Sequence, residues 1–316
     1  MSRARFVSDR EASWKRLARV LNDLESRGRK SSALHAELPG LYRAVAGDLS
    51  LARHRAYGLA LEERLNALSL RAYHQLHGTR LGLLRRFGRF VTVGIPRAVR
   101  AEGRLMILCS VLFWLPFLLL TLAGAWAPHW VQAALPAEMA AGLDQGFGGD
   151  SIQRDSSSNL MMFGHYIRNN VGIDFRTYAG GLLAGVGSLF FMIFNAIVLG
   201  AAFGYSWMQG YSETFLRFVV GHGAPELWAV VVSAAGGLRL GLTLIAPGRR
   251  SRRAALAEDG RRSVHLAAGA GVMTTVAAFI EAFWSANDFT LTVKLAVGGP
   301  LWVLVPAWLL FAGRRR

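Results

Sequence analysis

Cysteine is almost absent from this chain: Cys109 is the only one in 316 residues, and it lies in an apolar run. A disulfide framework within the chain and a cysteine-built metal cluster are therefore both excluded. Acidic residues are scarce too. Asp and Glu number 20 against 36 Lys and Arg, a formal net charge of +16. The opening stretch MSRARFVSDREASWKRL has no apolar centre, so it does not read as a secretory signal. What the chain has in abundance is hydrophobic side chains, 53% of the total. Together with the basic excess, this fits an all-α polytopic membrane protein with basic loops. Anionic lipid and the positive-inside rule account for the arginines before any nucleic acid needs to be invoked.

Residues 1–79 read as a cytoplasmic bundle of short helices. Ser8-Asp9-Arg10-Glu11 has the capping-box spacing, and Trp14, Leu17, Leu21 and Leu24 then fall on one helical face. Gly28 and the Ser31-Ser32 pair close that helix. Pro39 opens a second, whose stripe is Leu41, Tyr42, Val45, Leu49 and Ala52. A third carries Leu61, Leu65, Leu68, Ala72, Tyr73 and Leu76. His35, His54, His74 and His77 are scattered, with no carboxylate at metal-ligand spacing. Residues 80–104 form a basic amphipathic segment, in which Leu83, Leu84, Phe87 and Phe90 alternate with Arg80, Arg85, Arg86 and Arg89. Such a segment suits the headgroup layer.

Residues 105–316 form the membrane domain. A helix needs about 20 apolar residues to cross a bilayer. Leu105–Ala127, Glu226–Ala246, Val264–Trp284 and Leu291–Ala312 each suffice, and the glycine-rich Tyr178–Tyr205 is a fifth. Charge sets the expected orientation. Residues 1–104 carry 21 basic against 9 acidic side chains, loop 247–263 has six Arg against Glu258 and Asp259, and the chain ends Arg314-Arg315-Arg316. Loop 128–177 is net negative. The N-terminal domain, loop 247–263 and the C-terminal tail are all expected on the cytoplasmic side. Five simple spans violate that parity. The conflict disappears if Tyr178–Gly221 crosses an even number of times, as two short spans or a re-entrant hairpin broken near Asn195 or Gly200. The expected total is therefore about 5–6 membrane segments.

Three runs carry a resemblance: NNVGIDFRTYAGGLLAGVGSLFFMIFNAIVLGAAFGY, HGAPELWAVVVSAAGGLRLG and AAFIEAFW. Together with Leu38–Arg53 (LPGLYRAVAGDLSLAR) and the IPRAVR segment, they resemble the long form of the stage II sporulation protein M family. The resemblance implies an integral scaffold of the bacterial cytoplasmic (inner) membrane. Such a scaffold would recruit or anchor other membrane or cell-envelope proteins, cell-wall hydrolases among them.

Polar residues in the spans need their own reading. Loop 247–263 joins two antiparallel helices, so depth is counted from it. Glu226 and Glu281 then both lie roughly 25–30 Å from the loop, with His222 one turn before Glu226. Two carboxylates and a histidine in one layer can relay protons or bind a cation. The preferred reading is a hydrogen-bonded clasp between two helices. Without an H-E-x-x-H, one His and two Glu do not specify a zinc site, so no metal or cofactor is assigned. Arg239 is expected to snorkel to the cytoplasmic face, or else to find an acid elsewhere. Asn169, Asn170 and Asp174 are read as helix caps, and Asn195 as bonding across helices or satisfying a backbone break. The pairs Gly181/Gly185, Gly200/Gly204 and Gly237/Gly241 place small residues one turn apart, which lets helices approach closely within a subunit or between two copies. Ser233 and Ser263 lack a histidine in suitable context, so no enzyme is expected. The alternative to the scaffold is a transporter or channel using Glu226 and Glu281.

Overall fold

The computed structural model describes residues 2–27, 32–77, 80–149 and 158–314; among these there are helices and turns but no strand. Gly28, Ser31, the middle of the 128–177 loop and Arg315-Arg316 lie outside the described residues, as do the side chains of His35 and His77. The chain divides into two compact units, Met1–Gly88 and Arg89–Arg316.

In the first unit, helices α1 (Arg3–Arg27), α2 (Ser32–His54) and α3 (Leu59–His77) share one core. Trp14, Leu17, Leu21 and Leu24 of α1 meet Leu38, Val45, Leu49 and Ala52 of α2 and Leu61, Leu65, Leu68 and Ala72 of α3. Burying each such side chain contributes roughly 1.5–3 kcal/mol before entropy is subtracted. The buried Trp14 indole donates to Asp48 Oδ2 at 2.8 Å, so the large apolar anchor leaves no orphan donor. Arg64–Glu11 and Arg71–Glu25 pairs tie α3 to α1 at the surface. The hydrogen bonds from Arg64 hold the Glu11 carboxyl below its ordinary range.

Two helix starts differ from the sequence expectation. Helix α1 begins at Arg3, with Ser2 Oγ accepting from the Arg5 amide at 3.4 Å, so Ser8 lies inside the helix and caps nothing. Helix α2 begins at Ser32, so Pro39 sits within it instead of opening it. In both cases the apolar stripe extends upstream of the punctuating residue, and burial outweighs a local signal. Helix α4 (Arg80–Arg89) leaves Leu83, Leu84 and Phe87 exposed.

The second unit opens with a π-helical turn, Phe90–Gly94, and the short helix α5 (Ile95–Ala101). It continues with α6 (Gly103–Trp126), α7 (Pro128–Ala134), α8 (Ala137–Phe147), α9 (Asn159–Tyr166), α10 (Gly172–Ala179), α11 (Val186–Met208), α12 (Ser212–Val219), α13 (Gly223–Ile245), α14 (Arg252–Ile280), α15 (Leu291–Gly298) and α16 (Leu301–Phe311). Five stretches are long and apolar enough to cross a membrane: α6, α11, α13, α14 extended to Ser285, and α15–α16 as one run. Helix α13 is the most buried of the five; α6 and α15–α16 are the least.

Side-chain pairs fix the direction of each passage. Helices α13 and α14 are antiparallel. His222 meets Ser285 at one end, Ser263 bonds the Gly236 carbonyl midway, and Arg239 meets Asp259 at the other end. Helices α9 and α10, joined by a π-helical turn (Ile167–Val171), make an arm that also runs from the first end to the second. Asn170 bonds Glu281, Asp174 bonds Thr274, and Tyr178 bonds Ser263. A 3-10 turn, Gly180–Leu182, and Gly185 at φ +86° then reverse the chain into α11. Only glycine holds that left-handed angle without strain. Helix α11 returns parallel to α6, with Gly200 against Phe117 and Gly204 against Leu120 and Gly124. The last run ends beside α5, where Arg100 donates to the Leu309 carbonyl at 3.1 Å and Arg97 to the Gly313 carbonyl at 2.9 Å.

Among the described residues the bundle therefore contains six end-to-end passages, five of them in stretches long and apolar enough to cross a membrane. Its first helix starts at the same end where its last one finishes. The expectation that Tyr178–Gly221 crosses an even number of times is not met, because that stretch holds one long helix, α11. The additional end-to-end run is the arm 159–182, upstream of Tyr178, which is not among the five stretches long and apolar enough to cross a membrane. The chain reverses at Gly180–Gly185, and not near Asn195 or Gly200, which lie inside an unbroken α11.

Candidate functional site

Helix α13 begins just after His222, its N-cap residue, with Pro225 in its first turn and Glu226 one turn from His222, so both polar side chains share a face. Opposite them, α14 ends in the π-helical turn Glu281–Ser285. Such a turn inserts a residue into the helical ladder and re-aims the side chains beyond it. The result gathers His222, Glu226 and Glu281. One ligand atom from each lies within 4.8 Å of the other two. His222 Nδ1 lies 2.9 Å from Ser285 Oγ, and its Nε2 lies 4.0 Å from Glu226. The arm supplies Asn170, whose Nδ2 donates to Glu281 Oε2 at 3.2 Å, while Asn169 donates to Asn170 Oδ1 at 2.8 Å. Asn170 is thus a member of this cluster and caps no helix. Depth counting brings the three charged residues together; it gave no sign of Asn170, Ser285 or Lys294.

Lys294 on α15 is fully buried. Its ammonium donates to the carbonyls of Trp284 and Ser285 at 2.7 and 3.0 Å and lies over the Trp284 ring. A cation on the last carbonyls of a helix is favourably placed against the helix dipole. Lysine at the start of an apolar run reads as an interfacial anchor, which is why nothing in the sequence marked it.

A second polar layer lies at the opposite end. Arg239 does not snorkel; it pairs with Asp259 at 2.7 Å and with Glu102 at 3.5 Å. Arg250 reaches the other oxygen of Asp259, also at 2.7 Å. The sequence hid this pair because the arginines of 249–262 look like loop. In fact α14 starts at Arg252, capped by Ser251, and Asp259 comes level with Arg239. Between the two layers Ser233 donates to the Asp174 carbonyl, Ser188 to the Thr177 carbonyl and Ser263 to the Gly236 carbonyl. Asn195 bonds the Phe191 carbonyl of its own helix at 2.7 Å, so it bridges no helices.

The glycines act within this one chain. A Cβ on Gly181 would lie 2.1 Å from the Gly237 carbonyl oxygen, and one on Gly241 would lie 2.3 Å from the Gly185 nitrogen. Gly200 and Gly204 make comparably close backbone contact with α6.

A third feature lies on the outer side of the arm. His165, Arg168, Asn169, Gly172, Phe175 and Arg176 line a groove of about 610 Å³. Phe175 is 67% exposed, and Arg168 and Arg176 are exposed beside it. Arg176 follows Asp174 by two residues, which puts it level with the middle of α13. Its guanidinium bonds only the Gly172 carbonyl of its own helix, and among the described residues neither arginine pairs with a carboxylate.

The stage II sporulation protein M family model matches residues 111–286, more than half of the chain. The chain belongs to that family. Its matched region runs from within α6 to the end of the π-turn that holds Glu281, so both polar layers on α13 and α14 fall inside it. Residues 4–78, the three-helix unit, match a separate domain of unknown function (DUF8413). No curated protein and no solved structure gives a match. Family and fold together make this a multi-pass helical membrane protein.

Proposed function

We propose that this protein is a non-enzymatic scaffold that anchors partner proteins at the bacterial cytoplasmic membrane. The observation that carries this reading is the groove on the arm. An arginine facing hydrocarbon at mid-depth costs about 2.5–3.5 kcal/mol even on the most lenient scale. Among the described residues Arg176 and Arg168 are exposed with no carboxylate paired to them, and Arg176 is level with the middle of α13, so lipid tails are a poor cover for this face. A partner helix bearing a carboxylate would satisfy both arginines, and the exposed Phe175 would give it an apolar anchor. The three-helix unit, with its own closed core and exposed Leu59 and Leu70, offers a second attachment surface. Close backbone packing of Gly181 on Gly237 leaves no space for water at that level between the arm and α13, which favours anchoring over conduction there.

The test is photo-crosslinking in cells, with the reactive residue replacing Phe175 or Leu70. A discrete protein adduct is expected from each position, and Arg176→Ala is expected to abolish the one at 175. Adducts to lipid alone, or a protein adduct indifferent to Arg176→Ala, overturn the proposal.

The charge distribution supports a cytoplasmic N-terminal unit, and the contact of α5 with the end of α16 supports a tail on the side from which α6 starts. Reporters fused before Met1 and after Arg316 are expected to read the cytoplasm together. Opposite readings would mean that the arm does not cross.

A further inference from the structure

We infer that His222, Glu226 and Glu281 bind one divalent first-row transition-metal ion, with zinc as the representative case. This goes beyond the scaffold reading and does not depend on it.

One ligand atom from each of the three side chains converges on a common point. His222 Nε2 lies 4.0 Å from the Glu226 carboxylate, beyond hydrogen-bonding range. Lys294 is engaged with the carbonyls of Trp284 and Ser285. A central cation would contact all three groups at once.

The size fits as well. Three atoms mutually within 4.8 Å can all lie about 2.8 Å or less from one common point, and small side-chain rotations close that to the zinc–nitrogen and zinc–oxygen lengths of about 2.0–2.2 Å. Two carboxylates balance the charge of one divalent ion. An imidazole nitrogen among the ligands favours zinc, iron or copper over magnesium and calcium.

The surroundings are those of an oriented ligand set. Metal-binding histidines use their second nitrogen to hold the ring in place. Here Ser285 occupies His222 Nδ1 and leaves Nε2 facing the carboxylates. Asn170, braced by Asn169, fixes one oxygen of Glu281. Glu226 lacks such a brace, and its side chain is the more open, 19% exposed against 6% for His222. It marks the route by which an ion enters and the coordination position left for water. The ion would join the first turn of α13 to the last turn of α14.

The experiment uses the full chain in detergent, stripped with a chelator and then titrated with zinc. Bound metal is counted by mass spectrometry and affinity is read by calorimetry. One zinc per chain is expected. Glu226→Gln and Glu281→Gln are each expected to weaken binding at least about tenfold, and Ser285→Ala by about 10- to 100-fold. Cobalt loading should give a visible ligand-field band that Glu226→Gln removes. Wild-type protein that takes up no stoichiometric ion overturns the assignment. So do monodisperse Gln variants that bind zinc as tightly as wild type. Should the Gln variants fail to fold, Ser285→Ala decides: unchanged affinity overturns the site.

Discussion

Replacing Gly181 with alanine is expected to cost the folded protein about 3 kcal/mol or more, the upper end of overpacking penalties. The added methyl carbon would lie 2.1 Å from the Gly237 carbonyl oxygen and 2.7 Å from its Cα. Neither is the tip of a flexible side chain, so the arm and α13 must separate as backbones. That separation would also pull on Ser188, which bonds the Thr177 carbonyl beside the contact. The internal control is Gly271→Ala on α14, where nothing lies within 4 Å. There alanine is expected to be neutral or stabilising by up to about 1 kcal/mol, through helix propensity. Thermal melts of the two variants in one detergent check the pair. Equal melting temperatures would mean that the arm does not pack on α13 at these glycines.

Removing Asp259 is the second large effect. Its carboxylate is 4% exposed and serves two arginines, Arg239 and Arg250, at 2.7 Å each. Asp259→Ala leaves Arg239, about three quarters buried, with only Glu102 at 3.5 Å. Breaking a buried pair from one side typically costs 3–5 kcal/mol. Arg239 keeps some solvent access, so about 3 kcal/mol is expected. Arg250→Ala removes only the more exposed partner and is expected to leave the melting temperature nearly unchanged. The double change Arg239→Met with Asp259→Leu removes both charges and should recover most of the loss. An Asp259→Ala protein that melts within about 0.5 kcal/mol of wild type would rule out this ion pair as a structural element.

Where the sequence was readable, periodicity carried the information. The stripes through Trp14, Leu17 and Leu21 and through Leu61, Leu65 and Leu68 are the core of the three-helix unit. Depth counting pairs Glu226 with Glu281 although the connection between α13 and α14, 246–251, is shorter than the expected 247–263. Long side chains reach across an offset of a few residues. Three things were hidden for identifiable reasons. The arm 159–182 holds Arg168, Asn169, Asn170, Asp174 and Arg176, so no apolar window reports it. Its Asn170 and Asp174 are buried against α14, and only contacts with other helices reveal that. The start of α14 was hidden by arginines that resemble loop, and with it the partner of Arg239. The π-turn at Glu281–Ser285 has no compositional signal, yet it decides which side chains meet His222.

The hold of α5 on the end of α16 has a consequence for biogenesis. Arg97 and Arg100 grip carbonyls 216 and 209 positions further along the chain. Contacts so distant in sequence cannot form until nearly everything between them has been synthesised. The earliest helix of the membrane unit must therefore wait, its guanidiniums without these carbonyl partners, while six later passages are threaded. A nascent chain stalled before Leu309 would leave that pair of arginines open. Quality-control machinery could read the opening as a sign that insertion is unfinished.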